Sequence, residues 1–173
     1  MTVHFLPVEL SKWDEAEAEA LAITFFGDER PLRGAAGLAD WRLCGRLSRL
    51  VKRRFVTGNE EDAVLMPTGP KLPFRRIVMF GLGQSADWSE DVFRSAVKRV
   101  RSVLHKARVE HYAIQPPGRA MGLIAARRAL ELWMEESERD PYKHEVAIVD
   151  TPGAQKEMAD ILHAYQRRAR TRA

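Results

Sequence analysis

The segment Gly81-Leu82-Gly83-Gln84-Ser85-Ala86 has the Gly-x-Gly-x-x-Gly/Ala spacing with which backbone amides close on a dinucleotide pyrophosphate. It follows the apolar run Ile77-Val78-Met79-Phe80, short enough for a strand buried on both faces. Glycine at such a point permits positive φ and lets a ligand or another stretch of backbone come close. Three features speak against the pyrophosphate chemistry. Helical spacing resumes only after Asp87, Gln115 stands where the next strand would need a ribose-binding Asp or Glu, and no Walker lysine follows. Gly81, Leu82, Gly83 and Gln84 are thus a candidate ligand turn, and a tight turn beside packed backbone is the plainer reading.

Two basic stripes could hold phosphates. Arg42, Arg46, Arg49 and Arg53 recur along one predicted helix, and Arg94, Lys98 and Arg101 along another. On one face of the protein they would form a continuous positive patch. The alternative is a solvated face with scattered Glu partners, and no aromatic platform for stacking bases is interleaved with them. The histidines (His4, His105, His111, His144, His163) show no metal-ligand spacing, so surface or capping roles are expected and no metal or cofactor site is assigned. Cys44 sits in an apolar helical stripe and reads as a buried, inert thiol. The acidic groups Glu60-Glu61-Asp62 and Glu135-Glu136 read as solvated faces, and no catalytic residue is assigned.

These residues need elements to position them. The strand at 77–80 and the glycine turn lead into a predicted helix over 89–107, capped by Asp87 or Ser89, with Val92, Phe93, Ala96, Val97, Val100, Val103 and Leu104 on its buried stripe. A strand at 111–115, a helix over 121–138, a strand at 145–150 and a helix from Thr151-Pro152 to about Arg168 follow. Upstream lie a loose strand at 3–10, kept to an edge by Pro7, an apolar run at 20–26, one strong helix over 38–54 and a short strand at 63–66. Leu38, Trp41, Cys44, Leu47 and Val51 belong to the buried stripe of that helix. The spacing of 63–66 before the central strand suggests an antiparallel neighbour or an edge crossover. Alternating helices and strands predict an α/β fold, a mostly parallel sheet with helices on both faces.

The 173 residues fit one domain, taken as 1–166, with a basic and disordered tail over 167–173. Lys and Arg (28) exceed Asp and Glu (24), a net charge of +4 too modest to imply nucleic acid by itself. No run approaches a membrane span, the N-terminus lacks a leader pattern, and a single cysteine excludes an internal disulfide. Together these lead to the expectation of a cytoplasmic protein.

From Ala20 onward the chain resembles the N-terminal domain of the leucyl (cytosol) aminopeptidase family. The residues that carry this are Asp28-Glu29-Arg30-Pro31-Leu32, Leu38-Ala39-Asp40, Phe55-Val56-Thr57-Gly58, Phe80-Gly81-Leu82-Gly83 and Tyr142-Lys143. The resemblance implies a macrodomain-like, three-layer mixed sheet between helices. In the family the metals and the Asn-Thr-Asp-Ala-Glu-Gly-Arg motif belong to a second, C-terminal domain, and none of that motif is present here. Aminopeptidase activity is therefore not expected of this chain. The resemblance implies instead a non-catalytic interaction or regulatory module that binds itself or a protein partner. Alternatives are a binder of ADP-ribose or another nucleotide at Gly81 to Gly83, and a DNA-associated protein using the arginine stripes.

Overall fold

The computed structural model describes residues 2–171. Six strands form one sheet: β1 (Thr2–Pro7), β2 (Ala20–Phe25), β3 (Ala63–Pro67), β4 (Arg76–Gly81), β5 (His111–Ile114) and β6 (Glu145–Asp150). Their order is β1-β6-β5-β2-β4-β3, and every pairing is parallel except that of β3 with β4. The mixed, mostly parallel sheet expected from the sequence is what forms. β1 is an edge strand, and β3 is the antiparallel neighbour on the other edge. The central strands read as unbroken apolar runs because both of their faces are covered.

The helices divide between the two faces. α1 (Leu10–Trp13), α2 (Gly34–Arg42) and α3 (Arg46–Lys52) cover one face, where Trp13, Leu21, Ile23, Leu47, Ile77 and Met79 pack together. α4 (Glu90–Lys106), α5 (Ala126–Arg139) and α6 (Pro152–Thr171) cover the other, over Ala22, Val78, Phe80, Tyr112 and Ile148. Neighbouring residues of one strand serve opposite cores, as the two-residue side-chain period requires. Ser89 caps α4: its hydroxyl accepts from the Val92 amide at 3.2 Å, with Glu90 and Asp91 in the first turn suiting the positive helix end. α5 starts five residues later than the pattern predicts, after a short turn at Arg119–Met121. α6 takes in part of the basic tail, and residues 172–173 lie outside the described residues.

The single helix expected over 38–54 is two helices. Cys44 (φ 56°) and Gly45 (φ 76°) are both left-handed and end the first. The Asp40 side chain then caps the second, accepting from the Leu47 amide at 2.7 Å and the Ser48 amide at 3.1 Å. The break shifts the helical phase, so Trp41 (74% exposed) turns outward and Leu43 turns inward. Cys44 is exposed rather than buried, with Lys71 Nζ 3.1 Å from its sulfur.

Candidate functional site

The glycine turn sits where β2, β4 and the 57–62 loop meet at the carboxyl end of the sheet. A Cβ at Gly81 would lie 1.9 Å from the Asn59 carbonyl oxygen and 2.4 Å from the Gly58 carbonyl carbon. Gly58, at φ +88°, in turn meets the backbone of Gly27. The amides of the turn already have partners: Gly81 donates to Asp62 O at 3.1 Å, Leu82 to Phe25 O at 2.9 Å, and Gly83 to Gly58 O at 2.8 Å. Gly27 donates back to Gly83 O at 2.8 Å. The packed-backbone reading fits this arrangement. Gly81, Leu82 and Gly83 have no amide left for a phosphate, and the side chain of Gln84 lies over Gly27. No helix N-terminus backs the turn, because α4 begins only at Glu90.

Carboxylates lock the surrounding loops. Asp62 accepts from the amides of Thr57 (2.6 Å) and Gly58 (2.8 Å) and from the Thr57 hydroxyl (2.9 Å). Burial raises its pKa, but these donors outweigh it and hold the carboxyl below its ordinary value. Asp28 accepts from the Ser85 hydroxyl and from the Ser85 amide at 2.9 Å, which hold its pKa low. Glu29, 3% exposed, accepts from the Phe26 and Arg33 amides, yet burial prevails and raises its pKa. Asp62 and Glu29 are therefore structural, and Asp62 corrects the expectation of a wholly solvated acidic face.

At the ends of β2 and β5 a second recess is nearly filled. Gln115 Oε1 accepts from the Ala35 amide at 2.8 Å, at the start of α2. Arg119 donates through Nε and a terminal nitrogen to Asp150, at 2.7 and 3.1 Å, and to Ile124 O at 2.7 Å. About 10 Å³ remains between Glu29, Gln115, Gly118 and Met121, no more than one water needs. Sequence reading treats Gln115 only as a missing acid. Its role depends on a contact 80 residues away that no local pattern encodes.

The two basic stripes do not join. Arg42, Arg46, Arg49 and Arg53 lie on the face covered by α2 and α3, and Arg94, Lys98 and Arg101 on the opposite face. Arg42 is paired with Asp14. Arg46 and Arg49 donate to the carbonyls of Pro67 (3.2 Å) and Cys44 (2.7 Å). Arg53 is exposed. Arg94 bonds Glu135 at 2.6 Å and Glu136 at 2.7 Å, and Lys98 lies 3.6 Å from Glu136. Glu136 is 1% exposed, so it too departs from the solvated reading. Arg101 is wholly buried, gripping Asp140 at 2.6 and 2.7 Å and Tyr142 O at 3.0 Å, and cannot face a phosphate.

His4 and His111 flank Glu145 at 3.8 and 3.4 Å. Among the described residues no group of three His, Cys, Asp or Glu is placed to hold a metal ion. His105 stacks on Tyr142 with ring centroids 4.3 Å apart. His144 departs from the surface role expected of it, being 2% exposed with neither ring nitrogen hydrogen-bonded. Burial lowers its pKa to about 4, aided by Arg101 and His105 and opposed by Asp140. The unfolded chain therefore binds this proton first, and stability falls as the pH drops below about 6.5. Unfolding in urea is expected to show about 1 kcal/mol less stability at pH 5.5 than at pH 6.5 from this group. His144→Phe should flatten that difference.

The sequence profile described as "Cytosol aminopeptidase family, N-terminal domain" matches residues 22–144. A probable cytosol aminopeptidase of Geobacter sp. (strain M21) is 26% identical over 155 residues, which cover 84% of this chain and 31% of that protein. The chain thus spans about a third of the length of that curated relative. A mutant tomato leucine aminopeptidase superposes with a TM-score of 0.63 at 15% identity, over 92% of this chain and 35% of that one. A macrodomain of Oceanobacillus iheyensis solved with ADP superposes with a TM-score of 0.67 at 8% identity, over 90% and 88% of the two chains. These two likenesses show a macrodomain-like fold, and the profile match over residues 22–144 establishes that the chain belongs to the cytosol aminopeptidase family, in its N-terminal domain.

Proposed function

We propose that this domain is a non-catalytic interaction module that binds a second copy of itself or a protein partner in the cytoplasm. The observation that carries the reading is a pair of large aromatic side chains left in water beside α2 and α3. Trp41 is 74% exposed and Phe55 67%. Exposed aromatics of this size favour burial against another protein surface. The names of its relatives as cytosol aminopeptidases support the cytoplasmic setting. Nucleotide binding at the Gly81 turn finds no support in the amide geometry, and a DNA face finds none in the divided arginine stripes.

Light scattering on the eluting protein tests this. The expected result is a mass above that of one chain, falling to one chain in Trp41→Glu/Phe55→Glu. Because both side chains are exposed, the double variant should keep its stability to within about 1 kcal/mol. A single-chain mass for the wild type at concentrations of about 100 μM, with no partner retained through purification, overturns the proposal.

A further inference from the structure

A cleft of about 100 Å³ opens between the Gly81–Gly83 turn and the first turns of α4. One wall is apolar, made by Leu82, Val92 and Ala96. Arg99 lines the cleft as well. Its guanidinium carbon lies 5.8 Å from the centroid of the Phe80 ring, and one terminal nitrogen donates to Gly81 O. The other terminal nitrogen is buried and has no hydrogen-bond partner. No carboxylate comes within ion-pair distance of Arg99 among the described residues, while Glu60 and Asp62 act on it only from farther away.

A buried donor without a partner costs about 1–3 kcal/mol, and more when it is charged. The planar guanidinium fork is best completed by a carboxylate. Glu60, which also lines the cleft, supplies the opposite charge. It is exposed, makes no hydrogen bond or ion pair among the described residues, and reaches over Gly83, where a Cβ would sit 3.1 Å from its Oε1. The cleft thus offers a cation, an anion and an apolar wall. That layout fits a zwitterion carrying an apolar side chain: its carboxylate on Arg99, its ammonium at Glu60, and its side chain along Val92 and Ala96. We infer that the cleft binds a free α-amino acid with an apolar side chain. This inference is independent of the self-association reading, because Trp41 and Phe55 line no part of the cleft.

The test is titration of the full chain, followed by amide NMR shifts, with three probes. L-leucine carries both charges, 4-methylpentanoate only the carboxylate, and leucinamide only the ammonium. Leucine is expected to move the amides of Leu82, Val92, Ala96 and Arg99, and to bind at least about tenfold more tightly than either analogue. Arg99→Lys keeps the positive charge but not the fork, and Glu60→Gln changes only an exposed charge. Each is expected to weaken leucine binding by about tenfold or more. Absence of leucine-dependent shifts, equal binding of leucinamide, or unchanged affinity in either variant overturns the assignment.

Discussion

Gly81→Ala is expected to destabilise the domain by about 3 kcal/mol or more, at or beyond the upper end for overpacking, because the added methyl group meets backbone rather than a side chain that can swing away. Its Cβ would sit 1.9 Å from the Asn59 carbonyl oxygen and 2.4 Å from the Gly58 carbonyl carbon. Relief requires the 57–59 loop to move off β4. That movement breaks the bond from Gly83 N to Gly58 O (2.8 Å) and strains the one from Gly81 N to Asp62 O (3.1 Å). The loss should therefore be cooperative, taking the neighbouring turn with it. Gly153→Ala is the matched control, since nothing lies within 4 Å of its added methyl group and the site is in the first turn of α6. It is expected to be neutral or stabilising by about 0.5–1 kcal/mol. Urea midpoints of the two variants check the contrast. A Gly81→Ala protein as stable as the wild type would show that the loops are not in contact.

Asp140→Ala carries the other large effect. It removes the carboxylate that balances the Arg101 guanidinium, which is wholly buried and makes two bonds to it. Breaking one side of a buried pair costs about 3–5 kcal/mol, because the remaining charge has neither water nor counter-ion. For a domain of this size that lowers Tm by roughly 6–20 °C. Burial pushes the pKa of Asp140 up, but Arg101 overrides this and holds it below the ordinary value, consistent with a carboxylate that stays ionised. Removing both charges should cost less than removing one. Arg101→Met/Asp140→Ala is therefore expected to be more stable than Asp140→Ala alone. Thermal melts of the wild type, both single variants and the double variant complete the cycle. A double variant no more stable than the Asp140 single variant would mean that packing, not charge, sets the cost.

The central strands, the cap of α4 and the α/β class are legible in the sequence because each is a local matter. Ile77 to Phe80 is apolar without interruption, Ser89 precedes Glu90 and Asp91, and Thr151-Pro152 opens the last helix. The break at Cys44 and Gly45 is missed because the apolar stripe from Leu38 to Val51 runs through it in step. Gly45 is the one visible signal, a glycine that can close a helix in the left-handed conformation. Arg101 is misplaced for a different reason. It shares a helical stripe with Arg94 and Lys98, but its partner Asp140 comes from the end of another helix. The Arg99–Glu60 cleft and the Gln115 contact depend on the β5-β2-β4-β3 strand order, which side-chain periodicity does not encode. Order and spacing of short motifs carried the family assignment further than any single motif could.

β1 hydrogen-bonds to no strand but β6, with Thr2 beside Glu145 and Pro7 beside Asp150. The two partners are thus separated by about 140 residues of sequence, with four strands and most of the helices between them. During synthesis this strand has nothing to zip onto until β6 has emerged, so its pairing is a contact of high sequence separation that forms late and bears the entropy of closing that long loop.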